Sequence, residues 1–358
     1  MGTIWVVILP MFIPYFQITP KLTKNIEAIG AIFGYFKAVQ LPEGYKKEFI
    51  SKVTAETVHA STAIEGNTLT EGQVKEVLEG KKIHAQEQDI KEIINYNKAL
   101  DYIEKYPHED KESISEDLIK KLNAIILQDI KDQAAGHYRT GQVIVGDYLP
   151  PKHTQVPALM EEFVNWIQNP EPQNLSPILY TGIAHYQLVA IHPFVDGNGR
   201  TTRVLTTLML KQNGYDMTSF FALESYYNRN RKAYYEALNS ADKYRIEGKP
   251  DLTSWLEYYV EGMLIEAERA RSRIDEVSQK SKIVSKKQWI SDIQLTLLKL
   301  TFEKETAKIA DYLQVSELSR KGTYNAVNKL VTLSLLQRNG MSKGTFYTLT
   351  EKGLEYVK

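Results

Sequence analysis

Apolar residues recur at helical spacing along most of the chain and at strand spacing almost nowhere, which predicts a mainly α protein. From Thr19 to Phe36, Ile26, Ile29, Ile32 and Phe33 form one stripe behind a Thr19-Pro20 pair suited to the N-cap and first helical positions. Leu41-Pro42-Glu43-Gly44 breaks the pattern. A second helix is expected from Tyr45 to Glu65, closed by Gly66 and Asn67 as C-cap residues. Thr70 to Gly80 carries a Thr70-x-x-Gln73 capping box. Residues 88–105 place Ile90, Ile93, Ile94, Asn97 and Leu100 on one face, with Asn97 read as a satisfied core amide. Ser115 to about Asp129 is expected to be helical as well.

The period changes between Gly136 and Pro151. His137 to Tyr148 is rich in β-formers and glycine, and Pro150-Pro151 follows, so a hairpin is expected there. Such a hairpin is marginal alone and must lean on something. Ser176-Pro177 then opens a helix with Ile178, Leu179, Ile183 and Tyr186 facing the core; His185 on it is read as a neutral structural histidine. Another helix runs through Val204, Leu205, Leu208 and Met209 to an Asn213-Gly214 stop, and Glu224 to Asp242 is aromatic, polar and helical. Asp251 to about Lys287 reads as a long connecting helix. After Trp289, two helices (Thr306–Leu313 and Arg320–Leu333) precede two short strands, 336–338 and 346–349, around a Gly340–Gly344 turn.

With 358 residues the chain has room for two or three cores. Equal numbers of basic and acidic residues, 44 each, remove any global pull towards nucleic acid or membrane, so partners must be argued locally. The absence of cysteine excludes disulfides, thiolate metal sites and cysteine nucleophiles, and is compatible with a reducing cytoplasm, the expected location. Ile4 to Phe16 is apolar but short, and Pro10 and Pro14 interrupt it, so a packed or poorly ordered leader is expected and not a membrane span.

Reactive groups concentrate at His192-Pro193-Phe194-Val195-Asp196-Gly197-Asn198-Gly199-Arg200, with Arg203 one turn later. Gly197 and Gly199 allow close backbone approach at a helix start, which is a seat for phosphate. Arg200 and Arg203, three residues apart, are expected to point together at neighbouring phosphates. Asp196 suits a divalent cation shared with phosphate oxygens, and His192 is the group able to exchange a proton near neutral pH. The set points to phosphoryl or nucleotidyl transfer to a hydroxyl.

His192 to Arg203 resembles the signature of Fic-domain proteins, which transfer AMP from ATP to a side-chain hydroxyl of a target protein. Ser61-Thr62-Ala63-Ile64-Glu65-Gly66 likewise resembles their inhibitory motif, matched at Ser61, Glu65 and Gly66. The resemblance implies ATP as co-substrate, Mg²⁺ on Asp196, His192 as general base, and Glu65 pairing with Arg203 to block the γ-phosphate. It implies a Fic helical core whose 138–149 hairpin is a flap docking the target protein, with Val145, Gly146 and Asp147 bordering the nucleotide. Gly197, Asn198, Gly199, Arg200 and Thr201 would hold phosphates; Tyr234 and Asp242 would meet the adenosine. Many relatives carry a histidine where this chain has Asn123, a departure expected to touch packing and not the signature.

The C-terminal stretch is similar to a winged helix-turn-helix. Arg320, Lys321 and Lys329 lie on or beside its second helix, and Arg338 and Lys343 on the wing. Ten basic against seven acidic residues over 289–358 leave DNA contact and protein contact both open, and homodimerisation too. The expected domains are an apolar leader (1–17), an N-terminal helical region with the inhibitory helix (18–110), a Fic core (111–248), a connecting helix (249–288) and the winged module (289–358). Competing functions are transfer of another nucleotide, removal of AMP at the same site, and a nucleotide-sensing DNA-binding regulator.

Overall fold

The computed structural model describes residues 12–39, 43–106, 114–169, 172, 174–216, 220–241, 250–286, 290–340, 344–354 and 356–357. The chain divides into two compact units, Met1–Arg273 and Ile274–Lys358.

The first unit is helical. Helix α1 (Pro20–Ala38) starts where Thr19 Oγ1 accepts from Leu22 N, and buries Leu22, Ile29, Ile32, Phe33 and Phe36. Helix α2 (Glu43–Ile64) ends at Gly66, whose φ of +104° no L side chain adopts without strain. Helix α3 (Glu71–Leu78) has the Thr70–Gln73 capping box in both directions. Helix α4 (Glu87–Glu104) buries Ile93, Asn95, Tyr96, Ala99, Leu100 and Ile103. Its inward face is therefore shifted from the expected one. Asn95 is the core amide, donating to the carbonyls of Ile126 and Gln128, whereas Asn97 is half-buried and Ile94 exposed. The aromatic bulk of Tyr96, fully buried, sets the phase.

Helix α5 (Glu116–Leu127) is capped by Ser115, and α6 (Val156–Gln168), an element the sequence reading passed over, packs Phe163 and Trp166 inward. From the apolar leader, Phe12 meets Trp166 edge-on and Tyr15 accepts a main-chain hydrogen bond from Leu252 N; residues 1–11 lie outside the described residues.

Two helices frame the signature. Helix α7 (Pro177–Ile191) is buried on nearly every side, and α8 (Asn198–Gln212) follows it through a six-residue loop. Behind α7, the long helix α11 (Thr253–Lys286) approaches so closely that a Cβ on Gly182 would press on Leu256 and Tyr259 at 2.9 Å. Trp255 Nε1 donates to the Gly182 carbonyl at 2.8 Å in that contact. The aromatic stretch between them is two helices, α9 (Leu223–Arg229) and α10 (Arg231–Ser240), not one; Asn230 breaks the run and caps α10 through Ala233 N.

The expected hairpin is reduced to its tip. Val145 and Tyr148 exchange main-chain hydrogen bonds around Gly146, but the first arm pairs elsewhere, Tyr138 bridging to Phe194 and Arg139 N donating to the Pro193 carbonyl. Pro150 and Pro151 have no N–H to extend a ladder, which explains the loss.

The second unit contains α12 (Asp292–Lys304), α13 (Ile309–Val315), α14 (Arg320–Thr332), β1 (Leu336–Asn339), β2 (Phe346–Leu349) and α15 (Glu351–Leu354). The strands pair antiparallel with Leu336 opposite Leu349, and Ala307 bridges to Tyr347 on the free edge of β2. Its core gathers Leu297, Leu298, Tyr312, Val327, Leu330 and Tyr347. Lys343 lies outside the described residues.

Candidate active site

The signature loop is held by its own side chains. Asn198 closes it, accepting from Phe194 N and donating to the Phe194 carbonyl, both at 2.9 Å. Gly197, at φ +75°, turns the chain into α8. His192 is the C-cap of α7 and sits in the left-handed region at φ +50°, a conformation that costs a non-glycine residue on the order of 1 kcal/mol or more and is kept where surroundings enforce it. Arg139 enforces it, donating from Nε to the His192 carbonyl at 2.8 Å while its main-chain N–H holds Pro193. Tyr148 OH adds a hydrogen bond to the Ala190 carbonyl at 2.7 Å, fastening the flap to the end of α7.

Asn123 corrects the expectation drawn from the sequence. Its amide donates to the Asp196 carbonyl at 3.0 Å and to Thr201 Oγ1 at 3.3 Å, and its oxygen accepts from Gly136 N. It therefore fixes the loop directly. A polar residue at the buried end of a helix was the available signal, since such an amide needs partners.

A cavity of about 430 Å³ opens beside the loop. Glu65, His192, Gly199 and Arg203 form one wall, Val145, Gly146 and Asp147 the flap side, and Tyr234 with Tyr235, Leu238 and Asn239 the wall from α10. The last three were missed by sequence reading, although Tyr234, Tyr235 and Leu238 share one helical face. Asp242 lies outside the described residues.

Arg203 is buried and clamped. Its Nε donates to Ser61 Oγ at 2.7 Å, and its Nη2 donates to the Ser61 carbonyl at 2.9 Å and to Glu65 Oε1 at 2.8 Å. Burial opposes its charge, but Glu65 and neighbouring groups prevail and hold its pKa above the usual value. A Cβ on Gly199 would collide with Glu65 Oε1, so the Glu65 carboxylate lies directly against the first turn of α8. That is the electropositive end of the helix, where an anion gains most.

The two arginines do not point together. Arg200 turns to Asp196 Oδ1 at 3.1 Å and to Glu92 at 3.5 Å, and does not line the cavity. The nearby carboxylates draw it away. Asp196 also contacts Lys131 Nζ and accepts from Gly197 N. Burial would raise the Asp196 pKa, but Lys131 and Arg200 hold it below the ordinary carboxylate value. Asp196, Gly197, Asn198, Arg200 and Thr201 thus build the loop, while Gly199 and Arg203 reach the cavity.

For His192, burial lowers the pKa, and the Val189 carbonyl with Glu65 and Asp196 recovers part of the loss. Its pKa is therefore held below the ordinary histidine value, which favours the neutral ring that can accept a proton. His185 is different in kind: buried, with Nδ1 against Thr206 Oγ1 at 3.1 Å and Nε2 against Tyr234 OH at 3.0 Å, its pKa is pushed down to about 3. Among the described residues no three His, Asp or Glu side chains gather to hold a metal. Asp196, whose carboxylate is paired with Lys131 and Arg200, matches Mg²⁺ chemistry only where phosphate oxygens supply further ligands.

A left-handed histidine, a glycine-flanked helix start and an arginine one turn on define a loop-and-helix anion site in a helical core. Residues 113–210 match the Fic/DOC family, and the chain carries a Fic domain. It is 32% identical over 210 residues to the Nematostella vectensis protein adenylyltransferase Fic, covering 58% of this chain and 48% of that protein. To the Drosophila virilis protein of the same name it is 36% identical over 164 residues, covering 44% and 33% respectively. The chain thus spans half or less of these relatives. A Fic family protein from Desulfovibrio desulfuricans superposes with a TM-score of 0.68 at 25% identity, over 95% of this chain and 99% of that one. A Fic-domain signalling protein from Bacteroides thetaiotaomicron gives 0.57 at 26% identity, over 72% and 98%.

Proposed function

We propose that this protein is an adenylyltransferase, moving AMP from ATP to a Ser, Thr or Tyr hydroxyl of a target protein and releasing pyrophosphate, and that Glu65 holds it inactive. The observation that carries the reading is the Glu65–Arg203 pair at 2.8 Å, placed against Gly199 on the wall that also presents His192. A carboxylate there occupies the anion seat and uses up the arginine that a γ-phosphate needs.

When Glu65 withdraws, the N–H groups at the start of α8 and the Arg203 guanidinium are free to receive the polyphosphate, with the α-phosphorus turned towards the flap. His192 takes the proton from the target hydroxyl; the hydroxyl oxygen bonds to the α-phosphorus as the bond to the pyrophosphate oxygen breaks. Asp196 would hold Mg²⁺, which supplies charge neutralisation on the phosphates once Lys131 yields the carboxylate. Ile144 and Leu149, 73% and 63% exposed, offer apolar surface on the flap for the target segment.

A second reading is removal of AMP from a modified protein, favoured by Glu65 lining the same cavity as His192, where a carboxylate orients water. Parallel incubations with α-labelled and γ-labelled ATP test the main reading. Protein that gains only the α label supports adenylyl transfer; gain of the γ label replaces it with phosphoryl transfer, and loss of label from pre-modified protein favours the second reading.

A further inference from the structure

Glu92, on α4, lies close to the signature loop but does not line the nucleotide cavity. Its side chain is 11% exposed, so its charge has to be met from within the protein. Asn67 Nδ2 donates to Oε2 at 2.9 Å, Gln88 Nε2 donates to Oε1 at 3.3 Å, and Arg200 Nη1 stands 3.5 Å from the same Oε1. Asn67 is itself fixed. It follows Gly66 beyond the end of α2, is buried, donates also to the Asp89 carbonyl at 3.0 Å and accepts from Leu69 N at 3.2 Å. Oε2 is therefore held by the turn behind Glu65, and Oε1 is the oxygen presented to Arg200.

Arg200 is the more tightly enclosed partner. Its side chain is 4% exposed, and two carboxylates share its charge: Asp196, with Oδ1 at 3.1 Å from Nη2, and Glu92. Its Nε and Nη1 are buried and make no hydrogen bond among the described residues. A guanidinium with donors to spare can lean towards either carboxylate. It cannot lose both, because a buried charge left without a partner is strongly destabilising.

That constraint reaches the carboxylate assigned to Mg²⁺. Asp196 is engaged on Oδ1 by Arg200 and Gly197 N, and on Oδ2 by Lys131. Lys131 is half-exposed and can turn to water when a cation takes its place. Arg200 has no water to turn to. When Asp196 turns to a cation, Arg200 needs another anion, and among the described residues Glu92 is the one other carboxylate within ion-pair distance of it.

We propose that Glu92 is a positioning residue for the cation site: it keeps a counter-charge on Arg200 and so releases Asp196 to hold Mg²⁺. The proposal rests on the assignment of Mg²⁺ to Asp196 and deepens it. Glu92 touches neither nucleotide nor cation; it acts through Arg200, as groups behind a metal ligand commonly do.

The test measures, by calorimetry, the affinity of the Glu65→Gly chain for a non-hydrolysable ATP analogue, once in chelator and once in saturating Mg²⁺. The ratio of the two affinities reports how far the cation and the nucleotide support each other, without any turnover. Glu92→Gln keeps the shape of the side chain and an acceptor for Asn67 but removes the charge; a thermal melt checks that it folds. It should leave the affinity in chelator unchanged and cut the tightening by Mg²⁺ about tenfold, the lower end of what losing a group behind a metal ligand does. Glu92→Asp, which keeps the charge, should retain most of the tightening. Equal tightening in Glu92→Gln and its parent would overturn the proposal, and so would an equal loss of affinity with and without Mg²⁺, which marks a role in the scaffold alone. Asp196→Asn separates the two layers of the argument. If it abolishes the tightening while Glu92→Gln does not, Asp196 keeps the cation and only the role of Glu92 falls; if it leaves the tightening intact, the assignment of Mg²⁺ to Asp196 falls and the proposal with it.

Discussion

Asn123 and Asp196 are joined side chain to main chain at 3.0 Å, and through that bond α5 holds the loop that carries the signature. The same amide reaches Thr201 and accepts from Gly136, so removing it leaves a carbonyl and an N–H without their partner in a half-buried place. Asn123→Ala should lower stability by about 1–3 kcal/mol, the cost of leaving such groups unpaired. Urea denaturation measures it, and a loss under about 0.5 kcal/mol would show that the loop holds itself.

His185 makes the fold sensitive to acid. Its pKa is near 6.5 when unfolded and about 3 when folded, so between these values the unfolded chain binds more protons and stability falls as pH falls. The slope approaches about 1.4 kcal/mol per pH unit for this one group. His185→Gln removes the titration, so its stability should fall less than that of the unaltered chain between pH 6.5 and 4.5. Parallel curves would exclude His185 as the source.

How much of this was legible in the sequence depends on whether a residue acts through its neighbours in sequence or across space. Caps and stops such as Thr19, Thr70, Ser115 and Gly66 act within one turn, and the structure places each at the end of a helix. The inward face of α4 was misjudged because Ile94 and Asn97 fit a stripe in sequence, whereas Tyr96 fills the tertiary space. The signature, glycine-rich and ending in two arginines, announced its cavity. The Arg200–Asp196 pair, four residues apart, is local, but that Arg200 also turns to Glu92 while Arg203 turns to Ser61 and Glu65 depends on groups from distant helices, which no local spacing records.

Proton acceptance by His192 sets the chemical rate on this reading. In a chain relieved of inhibition, His192→Ala should lose ~10²–10⁴-fold in transfer. Because burial lowers the pKa of the ring, activity should persist below the pH at which an ordinary histidine protonates and then decline towards acid. A pH–rate profile checks this; an acid limb at or above the ordinary histidine range would contradict it.

Lys131 competes for the carboxylate assigned to Mg²⁺. The pair is half-exposed on the lysine side, and such pairs are worth up to about 1 kcal/mol. Lys131→Ala should therefore lower the half-saturating Mg²⁺ concentration by up to about fivefold, measured by calorimetry with a non-hydrolysable ATP analogue. Chelation should abolish transfer in both forms. An unchanged Mg²⁺ requirement in the variant would place the cation away from Asp196.

The lock itself is tested by incubating the unaltered chain, Glu65→Gly, and Glu65→Gly with His192→Ala with α-labelled ATP and Mg²⁺, and scoring label retained on protein. Glu65→Gly frees Arg203 and uncovers Gly199, so label should appear strongly with that variant and be lost again when His192 is also replaced. Equal labelling by the unaltered chain and Glu65→Gly would contradict an inhibitory role for the Glu65–Arg203 pair.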